Sequence, residues 1–490
     1  MPARPKSIYR TSLALFTDLY ELTMAYGFWK QKMADRKAVF HLFFRRNPFK
    51  GSFAIAAGLE TAAAFIEDFR FEESDLTYLE SLRENGKPLF EKGFLDYLRA
   101  FSFTCDLDAM PEGTPVFPYE PLLRVTAPLI QAQFLESLLL NIINFQTLIA
   151  TKAARISWAA HPDPVIEFGL RRAQGIDGAL SASRAAFIGG CVSTSNVLAG
   201  KLYGIPVVGT HAHSWIMAFE SELASFRAFA EVLPSGSIFL IDTYNTLQGA
   251  EHAIAIAKEM RKIGKEMGGV RLDSGDFAQL SIEVRKKLDA EGFPHTKIMA
   301  SNELDEETIS DLKHQGTKVT IWGVGTHLIT GKDQPALDGV YKLSALQNAK
   351  GAWEYKLKIS ETLAKVTDPG ILQVRRFSEK DGYVGDMIYN VESKLTRPVT
   401  LVNPLDPTQR KEISESVFQD LLVPVLRQGK SVYTHPSLQE IQMRAKKELE
   451  KFPQVIRRFL NPPPYFVGLE KALYDLKLQM IADIKKREKI

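Results

Sequence analysis

The sequence predicts an α/β protein with an irregular (β/α)8-type barrel, a discontinuous N-terminal α/β domain and a helical C-terminal segment. Three observations in the middle of the 490-residue chain lead to this prediction: short apolar runs recur, each run ends in a small or polar residue, and stretches with helical periodicity separate the runs. Repeated strand–helix units of this kind are typical of parallel sheets. An open doubly wound sheet is the alternative that the same alternation allows.

Eight apolar runs are the candidate strands of the barrel. In chain order they are Val165–Phe168, Ala186–Ile188, Pro206–Val208, Ile238–Ile241, Val270–Leu272, Ile298–Ala300, Val319–Trp322 and Val340–Leu343. Between them, Glu251–Met267 and Phe277–Leu288 have the spacing of amphipathic helices. Eight such units predict a barrel over residues 156–351, in which the residues directly after each strand share one face.

The segments on either side of the barrel predict a second domain that is discontinuous in sequence. In the N-terminal domain, residues 1–155, Ala38–Phe44 has the pattern of a strand and Leu129–Ala154 that of a long helix. Three strands follow the barrel, and the last two form a hairpin: Trp353–Ile359, Leu372–Phe377 and Tyr383–Ile388. Because these strands need a sheet to join, residues 352–400 are expected to complete the N-terminal domain.

The remainder of the chain, residues 401–490, is predicted to be mainly helical. Its clearest signal is a helix that begins at a capping box formed by Ser437 and Glu440 and ends before Pro453. The Lys-rich end, Lys485–Lys489, is most simply a solvated helix terminus.

Composition argues against several classes of function. The 61 basic and 58 acidic residues leave a net charge of +3, too small for a dedicated nucleic-acid binder. Cys105 and Cys191 are the only cysteines, so neither a disulfide framework nor a cysteine-based zinc site is expected. The basic first ten residues lack an apolar leader, and the longest uncharged stretch, Leu202–Phe219, is too interrupted to cross a membrane. We therefore expect a soluble, cytoplasmic protein with no nucleic-acid or membrane partner.

The predicted strand ends bring together residues that suit an anionic substrate. They comprise an arginine, a histidine pair, carboxylates, an asparagine and glycine-rich turns: Arg171, Gly189, Gly190, His211, His213, Asp242, Asp273, Asp276, Asn302, Gly323, Gly325 and Thr326. Glycine-rich turns let backbone N–H groups approach phosphate oxygens. Carboxylates can hold ribose hydroxyls or a Mg²⁺ ion carried on a pyrophosphate. These residues indicate a sugar-phosphate-like substrate without naming a reaction.

A series of longer motifs runs in order along the chain. The stretches are Thr17–Met24, Phe43–Arg46, Glu120–Val125, Glu167–Gly175, Ser195–Gly200, Gly209–Ser214, Asp242–Tyr244, Arg271–Asp276, Gly323–Thr326 and Lys358–Ser360. In amino-acid sequence and in order along the chain, these motifs resemble those of the nicotinate phosphoribosyltransferases, a type II phosphoribosyltransferase family. Each motif alone is weak evidence, but the ordered series is highly specific. The resemblance extends from about Leu15 to about Gly370 and implies an N-terminal α/β domain beside an irregular α/β barrel.

The resemblance implies the first step of NAD synthesis from nicotinate. The pyridine nitrogen would attack C1 of 5-phosphoribosyl-1-pyrophosphate (PRPP), giving nicotinate mononucleotide and pyrophosphate. ATP would be a co-substrate, hydrolysed through a phosphorylated histidine at His213. Mg²⁺ would arrive on the substrates, near Asp273 and Asp276, and no metal would be bound directly by the protein. Two chains would form a homodimer with a shared active site.

The resemblance also implies roles for single residues. Tyr20, supplied by the partner subunit, and Phe168 would stack on the two faces of the pyridine ring. His213, Asp242 and Asp273 would be catalytic. The other residues of the expected substrate site are Arg171, Arg271, Ser195, Asn196, Thr210, Gly189, Gly190, Asn302, Gly323, Gly325 and Thr326. Neutral side chains at Ser195 and Asn196 would tolerate an anionic carboxylate, where an aspartate would repel it.

Simpler interpretations exist for several of these residues. Asp276 fits a helix N-cap equally well. Tyr20 and Phe168 could be core aromatics, and Arg171 could belong to a surface ion pair. His211 departs from the family pattern, in which a nonpolar residue is usual, and has no assigned role.

Three other functions share some of the same signals. One is a phosphoribosyltransferase that uses nicotinamide. Another is a metal-dependent barrel hydrolase, because His211 and His213 imitate a two-histidine metal site. The third is a barrel that binds PRPP or a nucleotide without turning it over.

Overall fold

The computed structural model describes residues 13–414 and 416–488 and has a mixed α/β architecture of two compact units. One unit is formed by the described residues of 1–148 and 336–490, and the other by Ile149–Pro335. The first unit is therefore made of two separate stretches of the sequence.

The unit Ile149–Pro335 is built on a six-stranded parallel sheet. In spatial order its strands are Ile238–Leu240, Gly269–Leu272, Lys297–Ser301, Ile321–Val324, Val165–Glu167 and Ser193–Thr194. An isolated parallel bridge between Thr194 and Val207 extends this order. Because the strands are parallel, their carboxyl ends meet at one edge, where ligands bind in open and closed α/β sheets alike.

Helices connect these strands. They are Ile176–Gly189, Val197–Tyr203, His213–Met217, Glu222–Val232, Thr246–Lys262, Phe277–Ala290, Glu306–His314 and Thr326–Ile329. Several begin at a side chain that accepts a hydrogen bond from a backbone N–H three residues on: Asn196, Ser221, Asn245, Asp276 and Asp305. Such caps satisfy N–H groups that have no partner inside the helix, so they define where each helix starts.

One of the eight predicted strands is wrong, a second is a strand of the other unit, and a third is reduced to a bridge. Ala186–Ile188 belongs to the helix Ile176–Gly189, since a short apolar run suits a buried helix face as well as a strand. Val340–Leu343 begins an antiparallel strand of the other unit. Pro206–Val208 contributes only the bridge at Val207. The other five runs each overlap a strand of the parallel sheet, so the unit has six strands and a bridge rather than eight regular strand–helix repeats.

The discontinuous unit contains two larger sheets. The first is a seven-stranded antiparallel sheet with the order Trp353–Tyr355, Val340–Gln347, Lys37–Phe43, Leu123–Pro128, Asp106–Ala109, Val423–Arg427 and Lys430–Ser431. The second has six strands with the order Arg410–Ile413, Val399–Val402, Val467–Glu470, Gly382–Asn390, Leu372–Glu379 and Val417–Asp420. Two short pairs join Ala54–Ile55 to Pro115–Val116 and Arg83–Glu84 to Lys87–Pro88.

The helices of this unit come from both stretches of the sequence. They are Leu19–Lys30, Leu59–Asp68, Glu73–Ser81, Lys92–Arg99, Leu129–Gln133, Leu438–Glu450, Lys471–Glu488 and the start of Glu136–Ala160, which contains the boundary between the units. The stretch Leu129–Ala160 is apolar and long enough to cross a membrane, but 67% of its most apolar window is buried inside the structure. Burial of that extent is usual for a core helix of a globular protein.

Residues 401–490 contain strands as well as the helices that we predicted for them. The helices Leu438–Glu450 and Lys471–Glu488 are present, and the capping box of Ser437 and Glu440 is confirmed. Strands fill much of the rest, and they are short and partly charged, as in Arg410–Ile413, so they carry little apolar alternation. The hairpin of Leu372–Glu379 with Gly382–Asn390 is also confirmed, although it belongs to the second sheet and does not join the N-terminal one.

Candidate active site

An arginine–aspartate pair lies at the carboxyl edge of the parallel sheet. Arg271 Nη2 is 2.7 Å from Asp273 Oδ1, and Arg271 Nε and Nη1 donate to Ser301 Oγ and Thr210 Oγ1, each at 2.8 Å. Ser301 Oγ also donates to Asp273. Burial alone would raise the pKa of Asp273, but the Ser301 hydrogen bond and the Arg271 charge outweigh it and lower that pKa. An ionised carboxylate is thus held in one orientation.

His213 lies beside this pair with its imidazole accessible. It is the first residue of the helix His213–Met217, and its side chain is 41% exposed. Its Nδ1 is 3.0 Å from Thr243 Oγ1, and its Nε2 is 3.8 Å from Asp273 Oδ2. The hydroxyl and the carboxylate therefore fix the ring while leaving it open to solvent.

His211, two residues earlier, is a core histidine. Its Nε2 accepts a hydrogen bond from the Leu240 N–H at 3.2 Å, and its ring centroid is 4.7 Å from that of Phe229. Burial lowers the pKa of His211 to about 4, so the ring is neutral near pH 7. Its Nε2 is thus engaged by the backbone, whereas its buried Nδ1 has no hydrogen-bond partner among the described residues. Among residues 13–414 and 416–488, no three His, Cys, Asp or Glu side chains cluster as metal ligands.

Asp242 organises the loop that follows the strand Gly269–Leu272. Its Oδ2 accepts from the Asp273 N–H at 2.9 Å and from Ser274 Oγ at 2.6 Å. Its Oδ1 is buried and has no hydrogen-bond partner within the described part of the chain. One oxygen thus positions the loop, and the other keeps its capacity to accept a bond.

Asn302 and Asp276 also lie at this edge but differ in role. Asn302 adopts φ +106°, rarely seen outside glycine, and donates from Nδ2 to the Asp273 carbonyl at 3.0 Å. Asp276 caps the helix Phe277–Ala290 by accepting from the Gln279 N–H at 3.0 Å. The capping interpretation of Asp276 therefore describes the structure, and nothing here supports a magnesium-binding role for it.

Phe168 follows the strand Val165–Glu167, and its ring packs against Gly323 in the neighbouring strand Ile321–Val324. A Cβ at Gly323 would stand 2.8 Å from the Phe168 ring, so only glycine fits beneath it. The Arg271 guanidinium is 5.7 Å from the ring centroid. Gly325 is half-buried next to the Phe168 backbone, and Thr326 begins the short helix Thr326–Ile329. The absence of a side chain at Gly323 thus leaves room for the Phe168 ring.

Gly189 and Gly190 are not part of the site. Gly189 ends the helix Ile176–Gly189, which runs back from the carboxyl edge and leads to the start of the strand Ser193–Thr194. A Cβ at Gly189 would stand 2.2 Å from the Ala150 carbonyl oxygen. These glycines therefore allow close helix packing, and the predicted phosphate contact at this position is wrong.

The turn after Phe168 and the loop at Ser195 line an open cleft of about 470 Å³. Ser195 is half-buried, and Arg171 is exposed in the 3-10 turn Leu170–Arg172. Asn196, by contrast, is buried: it caps the helix Val197–Tyr203 through the Ala199 N–H and donates to Ser183 Oγ at 3.2 Å. Ser195 remains available to a ligand, whereas the Asn196 side chain is committed to its own loop.

Sequence reasoning missed Glu167, Thr243, Ser183 and Ser301. Glu167 is completely buried and accepts from the Gly169 N–H, from Ser183 Oγ at 2.9 Å and from Thr194 Oγ1. Its signal was present, because a charged residue ends an otherwise apolar buried strand. No local pattern marks the hydroxyl residues, which are identified only by the groups they contact.

Tyr20 belongs to the other unit, on the helix Leu19–Lys30, and is 45% exposed. Partial burial, together with the nearby carboxylates of Glu136, Glu21 and Asp18, raises its pKa to about 12. The ring is therefore a neutral, exposed aromatic surface rather than a core residue.

Three successive parts of the chain match one family. Residues 15–144 match the nicotinate phosphoribosyltransferase N-terminal domain, residues 164–363 the family itself and residues 373–477 its C-terminal domain. Nicotinate phosphoribosyltransferase of Bacillus subtilis is 42% identical over 97% of this chain and 96% of its own. The Homo sapiens enzyme is 34% identical over 94% of this chain and 95% of its own.

Solved structures agree in fold. The crystal structure of human nicotinic acid phosphoribosyltransferase superposes with a TM-score of 0.83 at 32% identity, covering 94% of this chain and 99% of that one. A nicotinate-nucleotide pyrophosphorylase from Pyrococcus furiosus gives a TM-score of 0.67 at 25% identity, with 90% and 95% covered. Arg271, Asp273 and His213, at the carboxyl edge of the parallel sheet, all lie in the segment 164–363 that matches the family. This chain belongs to the nicotinate phosphoribosyltransferase family.

Proposed function

We propose that this chain transfers the 5-phosphoribosyl group of PRPP to nicotinate, forming nicotinate mononucleotide and pyrophosphate. The observation that carries this proposal is the arrangement of Arg271, Asp273 and His213 at one sheet edge in a chain of this family. The parallel sheet with its bridge at Val207 would form the irregular barrel that we expect for this fold.

The transfer needs charge stabilisation more than proton transfer. As the C1–O bond of PRPP breaks, positive charge develops on the ribose and negative charge on the leaving pyrophosphate. The ionised Asp273, held by Ser301 and Arg271, would stabilise the ribosyl cation, and Asp242 would keep that carboxylate's loop in place. The pyridine nitrogen is already nucleophilic, so the protein would mainly position it.

The pyridine ring would stack on Phe168, with Tyr20 of a second chain on its other face. Arg171, exposed and close in sequence to Phe168, would pair with the nicotinate carboxylate or the 5′-phosphate. Ser195 offers a neutral hydroxyl where an acidic residue would repel the carboxylate, which favours nicotinate over nicotinamide. A homodimer in the cytoplasm is the assembly and location that this proposal implies.

His213 would couple ATP hydrolysis to the transfer. Its Nε2 would attack the γ-phosphorus of ATP, so that a P–N bond forms while the P–O bond to ADP breaks, and water would later release phosphate. Thr243 holds Nδ1, which leaves Nε2 beside Asp273 as the free nucleophile. Mg²⁺ would arrive on ATP and PRPP, and the oxygens of Asp273 and Asp242 are donors of the type it prefers.

A product assay tests the proposal directly. Purified protein is incubated with PRPP and Mg²⁺, with nicotinate or nicotinamide, in the presence or absence of ATP. We expect nicotinate mononucleotide, stimulated by ATP in wild type and in His211→Phe, and no ATP stimulation in His213→Ala. His211→Phe is the matched control because it changes the neighbouring imidazole inside an aromatic cluster.

Each other outcome points to a different conclusion. Equal turnover of nicotinamide would contradict the assignment of Ser195. ATP stimulation that survives in His213→Ala would refute the phosphohistidine. Absence of any pyridine nucleotide from folded wild-type protein would overturn the proposed function, and stoichiometric bound zinc would then favour the hydrolase.

A further inference from the structure

Glu167 carries a buried carboxylate at the end of the strand Val165–Glu167. The side chain is completely buried, and its partners are the Gly169 N–H, Ser183 Oγ at 2.9 Å and Thr194 Oγ1. All three donors are neutral. Buried polar oxygens are costly to leave without hydrogen bonds, so these donors stabilise the Glu167 side chain in its buried position.

The hydrogen bonds of Glu167 close into a ring of four residues, here called the Glu167 ring: Glu167, Ser183, Asn196 and Thr194. Thr194 Oγ1 accepts from the Asn196 N–H at 2.9 Å, and Asn196 Nδ2 donates to Ser183 Oγ at 3.2 Å. Ser183 lies in the middle of the helix Ile176–Gly189. The ring therefore ties together a strand end, a helix and a loop that are separate in sequence.

Two residues of the proposed pyridine site, Phe168 and Ser195, are adjacent in sequence to residues of the Glu167 ring. Phe168 stands between Glu167 and Gly169, whose N–H is bonded to the Glu167 carboxylate. Ser195 stands between Thr194 and Asn196, and its N–H donates to the Glu167 carbonyl at 2.9 Å. The same small network thus links the turn after Phe168 to the loop that contains Ser195.

We propose that Glu167 is a positioning residue for nicotinate: through the Glu167 ring it holds the Phe168 turn and the Ser195 loop at the separation that the pyridine ring and its carboxylate require. The inference rests on the proposed function. A purely structural residue would affect the binding of both substrates, whereas the Glu167 ring is proposed to affect the binding of nicotinate in particular. Loosening the ring should weaken nicotinate binding more than PRPP binding.

The chain offers near-isosteric variants that test this inference. Thr194→Val removes a hydroxyl that both donates to Glu167 and accepts from Asn196, while Thr194→Ser keeps it. Glu167→Gln replaces one accepting oxygen by an NH2 group, which cannot accept from the surrounding donors. Ser183→Ala removes the hydroxyl that connects Glu167 to Asn196. Ser281→Ala is the control, because Ser281 is as buried as Ser183 and Thr194 and its hydroxyl is hydrogen-bonded to Thr317 Oγ1 and the Lys318 N–H. These partners precede the amino end of the strand Ile321–Val324, whereas the site lies at the carboxyl edge of the sheet.

The experiment measures KM for nicotinate, KM for PRPP and kcat for each folded variant, with unfolding midpoints recorded in parallel. Displacements near 1 Å in a site can cost about 100-fold in rate. We expect the nicotinate KM to rise about tenfold or more in Thr194→Val and Ser183→Ala, with the PRPP KM changed less than about threefold. Thr194→Ser should recover most of the nicotinate affinity, and Ser281→Ala should lower only the midpoint.

The outcomes separate this inference from the proposed function. If wild type forms no nicotinate mononucleotide, the proposed function fails and this inference fails with it. If wild type is active but both KM values rise equally, or only the midpoint falls, Glu167 is merely structural. Should Glu167→Gln fail to fold, the Thr194 and Ser183 variants still decide the question.

Discussion

His211 and His213 lie on the same loop, and their surroundings give them opposite properties. His211 is surrounded by Phe226, Phe229 and Phe239, and its Nε2 is bonded to a backbone N–H. His213 is 41% exposed and lies between Thr243 and Asp273. At the scale of single residues, therefore, burial decides which imidazole can act as a nucleophile.

Protonation of His211 should make stability depend on pH. Its folded pKa is about 4, below the ordinary value of about 6.5, so between these pH values the unfolded chain binds more protons than the folded one. The contribution of His211 to the free energy of unfolding is thus complete above pH ~6.5 and is lost as the pH falls toward ~4. We expect wild type to lose stability relative to His211→Phe over that range, measured by urea unfolding at several pH values. A difference that stays constant with pH would contradict this.

At the scale of elements, the helix Ile176–Gly189 shows how one helix serves the site from its far side. Its middle supplies Ser183 to the Glu167 ring, and its last residue packs against Ala150 and Ala153. A side chain larger than hydrogen at Gly189 would push this helix away from the helix Glu136–Ala160, which contains Ala150 and Ala153. Close packing at the end of the helix therefore helps to keep Ser183, at its centre, within hydrogen-bond distance of Glu167.

Two glycines of this helix should respond oppositely to alanine. Gly189→Ala would place its Cβ 2.5 Å from Ala153 Cβ and should lower the free energy of unfolding by about 1–3 kcal/mol. Gly178→Ala has open space around its Cβ and should raise it by about 0.5–1 kcal/mol, because alanine restricts the unfolded chain. Chemical denaturation of both variants and wild type is the measurement. Destabilisation of equal size in both would argue against the packing explanation.

At the scale of the whole molecule, the discontinuous unit is joined by a buried polar core. Arg376 Nη2 is 2.6 Å from Asp386 Oδ2, and Tyr465 donates to Asp386 at 3.0 Å, all three being buried. Glu120, from the N-terminal stretch, is buried beside them and accepts from the Phe117 N–H at 2.9 Å. The two stretches of sequence thus share one core, which explains why the C-terminal segment is part of the N-terminal unit.

Glu120 should be a source of instability at high pH. Burial and the neighbouring carboxylate of Asp386 raise its pKa well above the ordinary value. The folded protein therefore keeps a proton that the unfolded chain releases, so stability falls as the pH rises above ~4.5. Glu120→Gln cannot ionise, and its advantage over wild type should grow between about pH 5 and pH 8 in thermal unfolding. An advantage that does not change with pH would refute this.

Much of the parallel sheet could be predicted from the sequence, because buried strands are continuous apolar runs with polar residues at their ends. Five of eight runs overlap its strands, and Asp242, Asp273 and His213 follow where expected. The runs that fail do so for different reasons. Ala186–Ile188 suits a helix or a strand by its pattern and lies in the helix Ile176–Gly189, whereas Val340–Leu343 is a strand that pairs in the other unit.

The sequence by itself determined the family, through the order of its motifs, and with it the chemistry that the site residues can perform. The tertiary structure alone decided which side chains are free to act. Asn196 and Asp276 are helix caps, His211 is a core residue, and Glu167 is the buried centre of a ring. These roles depend on burial and on partners distant in sequence, because hydrogen bonding and desolvation are properties of the packed chain rather than of a motif.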